Sequence, residues 1–547
     1  MELYFSENLK KIDEESRSSF GYSENILMEN AGSGCYRELL NLYGECRLLK
    51  AGITVVCGKG NNGGDGFVLS RYLFNSGFNV KTVILADPGS YAGTAKQNLD
   101  ILINLGAEIV EVSEESGLSF FLEILDTTNI LIDAIFGTGL SREIEGFLKT
   151  VVGAVNEKGG KNGLNENKEF DIICVDAPSG LNCDTGAFLG AGIKNGIKKI
   201  FTFGGLKVGF FVNEGEKLLL GEKATVIDIN HPKKLLKKYS AGINLITEAA
   251  ISKCFSGRKK TGTKFDYGHL LVVAGSSGKS GAAYMASFAG LKGGAGLVTA
   301  AVPSKLNDIM GTKTTEIMTY PVAGGDSGFF TESGASDISK NILKGKTAVV
   351  IGPGIGIDKE TKMFLRRLIF EIKVPLVLDA DALNILSEDM GYLKEISART
   401  DVVLTPHFKE MERLSGVFRK DIESDSLSAG KKFTEEFGVY LVLKGPSMFI
   451  FDKKGRHISI QGIHSPLLAS GGSGDILSGL IGSFICGGIS IYEAIRCAAF
   501  ITAYSAKNLE GLYGDFGAGA VKIAENIPNS INLIRSGKRT ADKGDFI

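Results

Sequence analysis

The chain runs from a β-branched stretch through a glycine-rich turn into a helical pattern at two widely separated places. The first is ITVVC followed by GKGNNGGDG and FVLSRYLFNSGF, and the second begins with LLVVAGSSGKSGAAY. After each opening, near-continuous apolar runs alternate with helical stretches, which is typical of parallel sheets covered by helices on both faces. Because the 547 residues also exceed the size of one hydrophobic core, we expect an α/β protein with two domains.

The boundary between the domains is expected in the segment HPKKLLKKYSAGINLITEAAISK, residues 231–253. A proline and a cluster of lysines follow the short strand-like run ATVIDI there, and we interpret the segment as a solvent-exposed connecting helix. The expected domains are therefore residues 1–235 and residues 236–547.

Charge and composition exclude several classes of protein. Lysine and arginine (61) nearly balance aspartate and glutamate (62), so no broad basic surface is available to attract nucleic acid or a membrane. The eight cysteines include no CxxC pair and only five histidines are present, which argues against a zinc site and a disulfide framework. The N-terminus lacks the pattern of a signal peptide, and no apolar run is long enough to span a membrane. We therefore expect a soluble, cytoplasmic protein.

The first glycine-rich stretch has the form of a nucleotide-binding turn. Gly58, Gly60 and Gly63 satisfy the pattern GxGxxG between a predicted strand and a predicted helix, and Asp87 ends the next strand-like run. In a dinucleotide-binding fingerprint, main-chain amides at the helix start hold a pyrophosphate. A purely structural turn is the alternative, but it would not require the polar side chains that follow, namely Asn61, Asn62 and Asp65.

Polar side chains also follow three later strand-like runs of the first half. Asp133 begins DAIFGTGLSRE, and Lys207 follows FTFGG. Asp176 and Ser179 lie in VDAPSGLNCDTG. Each could be a helix cap or a turn residue when taken singly. Because the carboxyl ends of parallel strands meet at one edge of the sheet, where such folds bind ligands, we expect these side chains to form a crevice.

Together, the segments ILMENAG, GKGNNGGDG, LIDAIFGTGLSRE, VDAPSGLNCDTG and FTFGGLKVG resemble the motif series of the NAD(P)H-hydrate epimerases, across residues 1–230. Those enzymes interconvert the R and S forms of nicotinamide cofactor in which water has added to the ring at C6. The resemblance implies a Rossmann-like three-layer sandwich. It also implies substrate contacts at Asn61, Asn62, Gly63, Gly64, Asp65, Gly137, Thr138, Gly139, Leu140, Ser141, Arg142, Glu143 and Asp176.

The same resemblance implies a potassium ion coordinated by Asn62, Asp133 and Ser179, whose oxygen atoms suit a hard cation. Epimerisation needs a positioned acid or base, because C6 must lose and regain its hydroxyl group or the ring must open and close. We expect Asp176 in that role, with Lys207 as a candidate partner. A phosphate contact or a surface contact is an equally open interpretation of Lys207.

The second half has its clearest signal at ASGGSGDILSGLIGSF, where a glycine-rich turn leads to Asp475 at the start of an apolar helix. Unpaired amides at a helix start can hold a transferring phosphoryl group, and the aspartate can take the proton of an attacking hydroxyl. A plain helix cap is the alternative for Asp475. The earlier GSSGKS is not a P-loop, because its two glycines are too close together for the Walker A spacing.

Other segments of this half fit the use of a nucleotide. The run VLKGPSMFI places Lys444 at a strand end, and TPHFKEMERL places His407 before a helix, where a lone histidine is more often structural. With GSSGKSGAA, IGPGIG, LDADALN and GGSGDILSG, these segments resemble the ADP-dependent NAD(P)H-hydrate dehydratases of the ribokinase-like fold, across residues 245–530.

In that family, ADP phosphorylates the hydroxyl of the S hydrate, and loss of phosphate restores NAD(P)H. A Mg²⁺ ion would offset the charge of the diphosphate. The resemblance implies hydrate contacts at Ala282, Gly354, His407 and Asp475, with Asp475 as the base. It implies nucleotide contacts at Lys444, Gly445, Pro446, Ser447, Met448 and Gly474.

We therefore interpret the chain as a bifunctional repair enzyme for hydrated NADH and NADPH (NADHX and NADPHX) that consumes ADP, and we expect a homo-oligomer. A hydride-transferring dehydrogenase is one alternative, but it leaves GGSGD and LKGPS without a role. A small-molecule kinase with a non-catalytic first half is the other.

Overall fold

The computed structural model describes residues 1–160, 170–324 and 327–537. The chain divides into two compact units, one from Glu2 to Ile243 and one from Asn244 onward that also includes Met1. Each unit has its own large sheet with helices packed on it, which confirms the expected two-domain α/β fold. Within the described ranges, no helix is long and apolar enough to cross a membrane.

The first unit is built on a seven-stranded sheet. Its described residues form β1 (Leu3–Tyr4), β2 (Ile53–Cys57), β3 (Val80–Ile84), β4 (Ile109–Glu111), β5 (Ile130–Ala134), β6 (Asp171–Val175), β7 (Ile197–Phe203), β8 (Leu206–Lys207) and β9 (Ala224–Ile227). The sheet has the order β4-β3-β2-β5-β6-β7-β9, with every neighbouring pair parallel. The central strands β2 and β5 are buried at every position, as β-branched strands covered on both faces should be. A separate short pair joins β1 to β8.

Helices cover this sheet. They are α1 (Ser6–Phe20), α2 (Glu24–Tyr43), α3 (Glu45–Leu48), α4 (Asn61–Asn75), α5 (Gly93–Asn104), α6 (Leu118–Thr127), α7 (Gly146–Gly160), α8 (Asn213–Lys217), α9 (Leu220–Lys223) and α10 (Lys233–Lys238). One core cluster joins α2, α4 and α5 to β2, β3 and β5.

Helix α4 begins earlier than the sequence predicted. We expected a glycine loop to continue to Gly66, but the helix already begins at Asn61. The glycines inside it serve close packing. A Cβ built on Gly63 would lie 1.9 Å from the Gly58 carbonyl oxygen, and one on Gly66 would lie 2.7 Å from the Ala134 Cβ. The glycines therefore let the helix start sit directly against the ends of β2 and β5.

The second unit is built on a ten-stranded sheet. Its described residues form β10 (Ile243–Leu245), β11 (His269–Val273), β12 (Leu297–Pro303), β13 (Met318–Val322), β14 (Ala348–Ile351), β15 (Leu376–Leu378), β16 (Val402–Leu404), β17 (Tyr440–Lys444), β18 (Met448–Phe451) and β19 (Ile458–Gln461). The order is β10-β19-β18-β17-β16-β15-β14-β11-β12-β13. The pairs from β13 to β17 are parallel, and β17, β18 and β19 form an antiparallel extension.

The helices of this unit are α11 (Glu248–Ser252), α12 (Ser280–Lys292), α13 (Asn307–Lys313), α14 (Glu332–Asn341), α15 (Lys359–Leu368), α16 (Asp381–Leu386), α17 (Gly391–Ser397), α18 (Phe408–Ser415), α19 (Arg419–Ser424), α20 (Ser426–Phe437), α21 (Ser473–Cys486), α22 (Ile491–Tyr513) and α23 (Ala520–Ser536). Helix α21 is buried from Ile476 to Cys486 and packs on α12, on α22 and on the central strands. Its first turn, at Ser473 to Asp475, is the part that stays accessible.

The segment 231–253 is not one exposed helix, so that expectation is wrong. Helix α10 buries Leu235 against Leu9 and Ile12 of α1. Strand β10 adds an edge to the second sheet beside β19. The lysine side chains of this segment are exposed, as predicted. The leucines and isoleucines between them decide how the segment packs.

Candidate active sites

The first candidate site is a cavity of about 1230 Å³ at the carboxyl ends of β2, β5 and β6. Helix α1 supplies a further part of its wall. Most of the predicted substrate contacts line this cavity, namely Asn61, Asn62, Asp65, Gly137, Thr138, Gly139, Leu140, Ser141, Arg142, Glu143 and Asp176. A crevice is therefore present at this edge of the sheet, but of the four side chains expected to form it Asp176 lies on its wall, whereas Asp133, Ser179 and Lys207 are buried behind it. Gly63 and Gly64 lie behind its wall, against Gly58 and Met28.

Asp176 is held by a fully buried lysine. The Lys207 ammonium lies 2.6 Å from Asp176 Oδ1, and it also donates to Thr202 Oγ1 at 2.5 Å and to the Phe203 carbonyl at 3.0 Å. These three bonds use all three donors of the ammonium. A surface contact was one open interpretation of Lys207, and it is wrong because the side chain is completely buried.

The environment of Asp176 favours its ionised form. Burial alone would raise the pKa of Asp176, but the Lys207 charge and the hydrogen bonds from Lys207 and Thr138 outweigh it and hold the pKa below its usual value. The Thr138 amide donates to Asp176 Oδ2 at 3.0 Å, and the Thr138 hydroxyl donates to the same oxygen. Asp176 also has φ 64°, which is unusual for a residue with a side chain and is a form of strain found at functional sites.

Asp65 lines the same cavity with the opposite tendency. Burial raises the pKa of Asp65 well above its ordinary value, and the charges of Asp176 and Asp13 raise it further. A carboxyl group with a raised pKa therefore lines the same cavity as one with a lowered pKa. Such a pair is the usual arrangement of an acid and a base in one site.

Two of the three predicted potassium ligands, Asp133 and Ser179, are in direct contact, and the third, Asn62, lies beside Gly137 of the loop after β5. Ser179 Oγ lies 2.5 Å from Asp133 Oδ1 and accepts from the Phe136 amide at 2.9 Å. A Cβ built on Gly137 would lie 2.9 Å from Asn62 Oδ1. Burial raises the pKa of Asp133 to about 6, although hydrogen bonds from Ser179 oppose this shift.

The surroundings of Asn62 show whether these residues suit a bound cation. Both polar atoms of its amide are buried, and neither makes a hydrogen bond within the described residues. An unsatisfied buried amide is costly, and a cation at its oxygen would remove part of that cost. The amide, carboxylate and hydroxyl oxygens present are ligands of a hard cation, so the residues fit potassium.

An Asp–His pair on the cavity wall was missed from the sequence. His231 Nε2 lies 2.7 Å from Asp13 Oδ1, and both residues line the cavity. His231 Nδ1 is buried and makes no hydrogen bond within the residues that the structure describes. The two residues are 218 positions apart, and no local motif marks either of them.

Asp87 does not take the place that a dinucleotide fingerprint assigns to it. Its side chain accepts from the Gly89 amide at 2.8 Å and caps the short 3₁₀ turn at Pro88–Ser90. Asp87 is exposed and is not part of the cavity wall. The acidic residue that would hold a ribose in a dehydrogenase of this type therefore lies outside the wall of this cavity.

The second candidate site lies at the start of α21. Asp475 is the third residue of that helix, and Gly472 precedes the helix with φ 97°. The N–H groups of the first turn have no partners within the helix. Burial raises the pKa of Asp475 to about 7, with Asp379 adding to the shift and Lys444 opposing it.

Lys444 crosses the same helix start. Its ammonium lies 2.8 Å from Asp379 Oδ1, and a Cβ built on Gly474 would lie 3.4 Å from the ammonium and 3.8 Å from Asp379 Oδ2. The rest of the predicted nucleotide segment turns beside it, with the Gly445 amide donating to the Ser447 carbonyl at 3.1 Å. Lys444 and Gly474, two of the predicted nucleotide contacts, therefore lie together at this turn.

His407 takes a capping role at the neighbouring helix. Its Nδ1 accepts from the Lys409 and Glu410 amides at 3.1 and 3.2 Å at the start of α18. A backbone bridge places it beside Lys444. Burial lowers the pKa of His407, and the Lys444 charge lowers it further. The ring is half-exposed, so it can cap the helix and still face a ligand.

Ala282 and Gly354 lie against each other near α21. A Cβ built on Gly354 would lie 3.0 Å from the Ala282 Cβ, and Gly354 has φ 63°. Its carbonyl accepts from Ser276 Oγ at 2.7 Å. Because α12, which carries Ala282, packs along α21, these residues flank the helix start that carries Asp475.

Two acidic residues of LDADALN belong to this site but had no assigned role. Asp379 pairs with Lys444. Asp381 accepts from the Gly356 amide at 2.9 Å and from Lys279 Nζ at 3.0 Å. The motif was visible in the sequence, but nothing in it revealed which side chain pairs with a lysine on another strand.

The residues present do not form a magnesium site by themselves. Across the described parts of the chain, no group of three or more His, Cys, Asp or Glu side chains could hold a metal ion. We therefore assign no protein ligand to Mg²⁺.

The protein has two α/β units, and each is built on a sheet of mostly parallel strands. At the carboxyl edge of each sheet a buried carboxylate pairs with a lysine, so the fold defines a two-domain α/β enzyme with two sites. Comparison with known families refines this class. Residues 24–209 match the model described as YjeF-related protein N-terminus, and residues 270–529 match the model described as NAD(P)H-hydrate dehydratase.

Curated relatives cover nearly the whole chain. The bifunctional NAD(P)H-hydrate repair enzyme Nnr of Thermofilum pendens is 32% identical over 96% of this chain and 95% of the relative. The enzyme of the same name from Moorella thermoacetica is 33% identical over 92% of this chain and 91% of the relative. The chain belongs to the family of bifunctional NAD(P)H-hydrate repair enzymes.

A solved structure resembles the second half. It is an ADP/ATP-dependent NAD(P)H-hydrate dehydratase from Bacillus subtilis co-crystallised with ATP and Mg²⁺, and it covers 54% of this chain and 100% of its own. The sequence identity is 20% and the TM-score is 0.46.

Proposed function

We propose that this protein repairs hydrated NADH and NADPH in two steps, one in each unit. The first unit interconverts the R and S hydrates, and the second dehydrates the S hydrate at the expense of ADP, giving NAD(P)H, AMP and phosphate. The observation that carries this proposal is the likeness to bifunctional repair enzymes along nearly the whole chain. The presence of two separate carboxylate sites, around Asp176 and Asp475, supports it.

In the first site, Asp176 is proposed as the base and Asp65 as the acid. The pKa of Asp176 is lowered beside Lys207, which favours the ionised form, and the pKa of Asp65 is raised in the same cavity, which favours the protonated form. Exchange of the hydroxyl at C6 needs a proton delivered and a proton removed, and this pair can do both. Lys207 acts through Asp176, because its three donors are already used inside the protein.

The remaining cavity residues are proposed to bind the hydrated cofactor. The free amides at the α4 start would bind a phosphate group, as helix starts do. The loop after β5 supplies the other wall through Gly137, Thr138, Gly139, Leu140, Ser141, Arg142 and Glu143.

Asn62, Asp133 and Ser179 are proposed to hold a potassium ion. The buried, unsatisfied amide of Asn62 is the observation that supports it. A bound K⁺ would supply positive charge where the loop after β5 meets α4. The ion would also keep Asn62 Oδ1 in place beside Gly137.

In the second site, Asp475 is proposed to deprotonate the C6 hydroxyl as it attacks a phosphate of ADP. Hydroxide is a poor leaving group, so transfer of a phosphoryl group to this oxygen prepares it to leave as phosphate. The free amides at the start of α21 can stabilise the transferred group. Lys444 lies against the same turn, where its charge can meet the phosphates of the nucleotide.

Other residues around α21 are proposed to position the two ligands. Ala282, Gly354 and His407 would face the hydrate, and the segment from Lys444 to Met448 with Gly474 would face the nucleotide. Mg²⁺ would enter the site bound to the diphosphate of the nucleotide, since the described residues include no cluster of metal ligands for it.

Both activities in one chain make chemical sense. A dehydratase specific for the S hydrate would leave the R hydrate unrepaired, and an epimerase converts that remainder into substrate. The two alternatives fit less well. In a dehydrogenase Asp87 would hold the ribose, but it caps a turn outside the cavity wall. A kinase with a passive first half leaves the Asp176 cavity unexplained.

The test is a coupled assay with defined hydrates. A mixture of R and S NADHX is incubated with the protein, ADP, Mg²⁺ and K⁺, and the recovery of NADH absorbance is followed. We expect complete recovery with ADP and none without it. Recovery that stops when the S hydrate is exhausted would contradict the first activity, and no recovery at all would contradict the whole proposal.

A further inference from the structure

Asp379 is the most deeply buried carboxylate in the second site, with only 1% of its surface exposed. It follows β15, and its Oδ1 lies 2.8 Å from the Lys444 ammonium at the end of β17. The pair lies over Gly474, one residue before Asp475. A lysine, its counter-ion and the proposed base therefore converge on one turn of α21.

We propose that Asp379 is a positioning residue of the dehydratase site, which holds Lys444 across the start of α21 and sets the charge around Asp475. The inference rests on the proposed function, because it concerns how the second site works. Asp379 itself does not need to touch either ligand, since it acts through Lys444 and through its own field.

The backbone around Asp379 is built to keep this carboxylate in one place. The next residue, Ala380, has φ 51° and ψ −119°, a strained conformation for a residue with a side chain. Its amide donates to Asp379 Oδ1 at 2.9 Å. A Cβ built on Gly352 would lie 1.8 Å from the Asp379 carbonyl oxygen, so the neighbouring strand end also fits closely against it. This cost in strain is consistent with a fixed functional geometry rather than with an interchangeable ion pair.

The charged groups that face Asp475 come from several elements. Asp379 and Asp381 both disfavour its ionised form, whereas Lys444 favours it. Around these groups, Glu410 and His407 of the α18 start face Lys444, and Lys279 pairs with Asp381. Asp379 and Lys444 are the nearest opposing pair, so removing one or the other should move the titration of Asp475 in opposite directions.

The test measures how the dehydration rate depends on pH, with the S hydrate, ADP and Mg²⁺ as substrates. The rate rises with pH as the base ionises, and the midpoint of this rise reports the base. Asp379→Asn removes a negative charge, so we expect the midpoint to move down by about one pH unit. Lys444→Met leaves Asp379 unpaired, so we expect the midpoint to move up.

A double variant keeps the proposal testable if Asp379→Asn fails to fold. The variant with both Asp379→Asn and Lys444→Met removes the pair as a unit and leaves no unpaired buried charge. We expect its midpoint to lie below that of Lys444→Met alone. A purely structural role for Asp379 would lower the rates of these variants without moving their midpoints.

Asp401→Asn is the matched control, because Asp401 Oδ1 also pairs with a lysine, Lys453, at 2.7 Å but in an exposed position. Its midpoint and rate should equal those of the wild type, and the epimerase rate should be unchanged in every variant. Coincident midpoints with and without Asp379, in an active wild type, would overturn this inference alone. A wild type that makes no NADH from the S hydrate and ADP would instead overturn the proposed function.

Discussion

The Lys207 ammonium lies 2.6 Å from Asp176 Oδ1 at the carboxyl edge of the first sheet, with the lysine side chain fully buried. The second sheet repeats the relationship, with Lys444 lying 2.8 Å from Asp379. In each unit the lysine comes from a strand that follows the carboxylate in the chain. A buried ion pair of this kind is weak evidence for stability, so its presence at the carboxyl edge of both sheets points to function.

Lys207→Met should inactivate the epimerase and destabilise the first unit. The change leaves Asp176 buried without its counter-ion, and breaking a buried pair in this way costs about 3–5 kcal/mol. Calorimetry should show a lower Tm for the first unit, and the epimerisation rate should fall below detection.

The exposed pair of Lys158 and Asp126 provides the control for that change. Lys158→Met should alter stability by less than about 1 kcal/mol, as exposed ion pairs usually do, and should leave both activities intact. Equal effects of the two substitutions would mean that the Lys207 contact has no special importance.

Gly63→Ala should destabilise the first unit, whereas Gly60→Ala should not. A Cβ on Gly63 would lie 1.9 Å from the Gly58 carbonyl oxygen, while a Cβ on Gly60 would meet nothing within 4 Å. Overpacking in a closely packed region costs about 1–3 kcal/mol or more. Thermal unfolding of the two variants checks this, and similar Tm values for both would contradict the packing role of Gly63.

The sequence predicted the site residues that a short local pattern marks. Asp176 and Asp475 could be identified because a polar residue after an apolar strand, or at an apolar helix start, is visible in a short window. Asp379 had no assigned role, since its partner Lys444 is 65 residues away. Likewise, α1 and its Asp13 reach the cavity only through tertiary packing.

The sequence pattern also gave a wrong prediction where glycine can serve more than one structural purpose. The run from Gly58 to Gly66 predicted a long loop, but most of it is the first turns of α4. A glycine that permits a left-handed backbone and a glycine that permits close packing look the same in one sequence. In α4 most of the glycines permit close packing, and only the structure distinguishes these two uses of glycine.

Potassium should stabilise the wild-type protein through Asn62. At equal concentrations, KCl should raise the Tm of the first unit above its value in choline chloride by about 2–4 °C, the shift for about 1 kcal/mol of ligand stabilisation. Asn62→Ala removes the buried amide and should abolish the difference. Asn41→Ala, at an exposed site on α2, is the control. A difference that survives in Asn62→Ala would place the ion elsewhere.

Asp475→Asn should stabilise the second unit at neutral pH while it removes dehydration. The pKa of Asp475 is raised to about 7 in the fold, against an ordinary value of 3.8. The folded state therefore keeps a proton that the unfolded chain loses, and this residue makes stability fall as the pH rises from about 4 to about 7. The variant lacks that loss and should be more stable by about 2–4 kcal/mol at pH 8.

Denaturant titrations at pH 4 and pH 8 measure this effect. The advantage of Asp475→Asn over the wild type should be small at the lower pH and full at the higher one. An advantage that is equal at both pH values would show that the titration of Asp475 is not its source.

The most direct measurement assigns one activity to each half of the chain. Asp176→Asn and Asp475→Asn are prepared separately, and epimerisation and ADP-dependent dehydration are measured for each with pure R and pure S hydrates. We expect Asp176→Asn to dehydrate only the S hydrate, and Asp475→Asn to interconvert the hydrates without forming NADH. Loss of both activities in either folded variant, or loss of neither, would contradict the assignment of one reaction to each site.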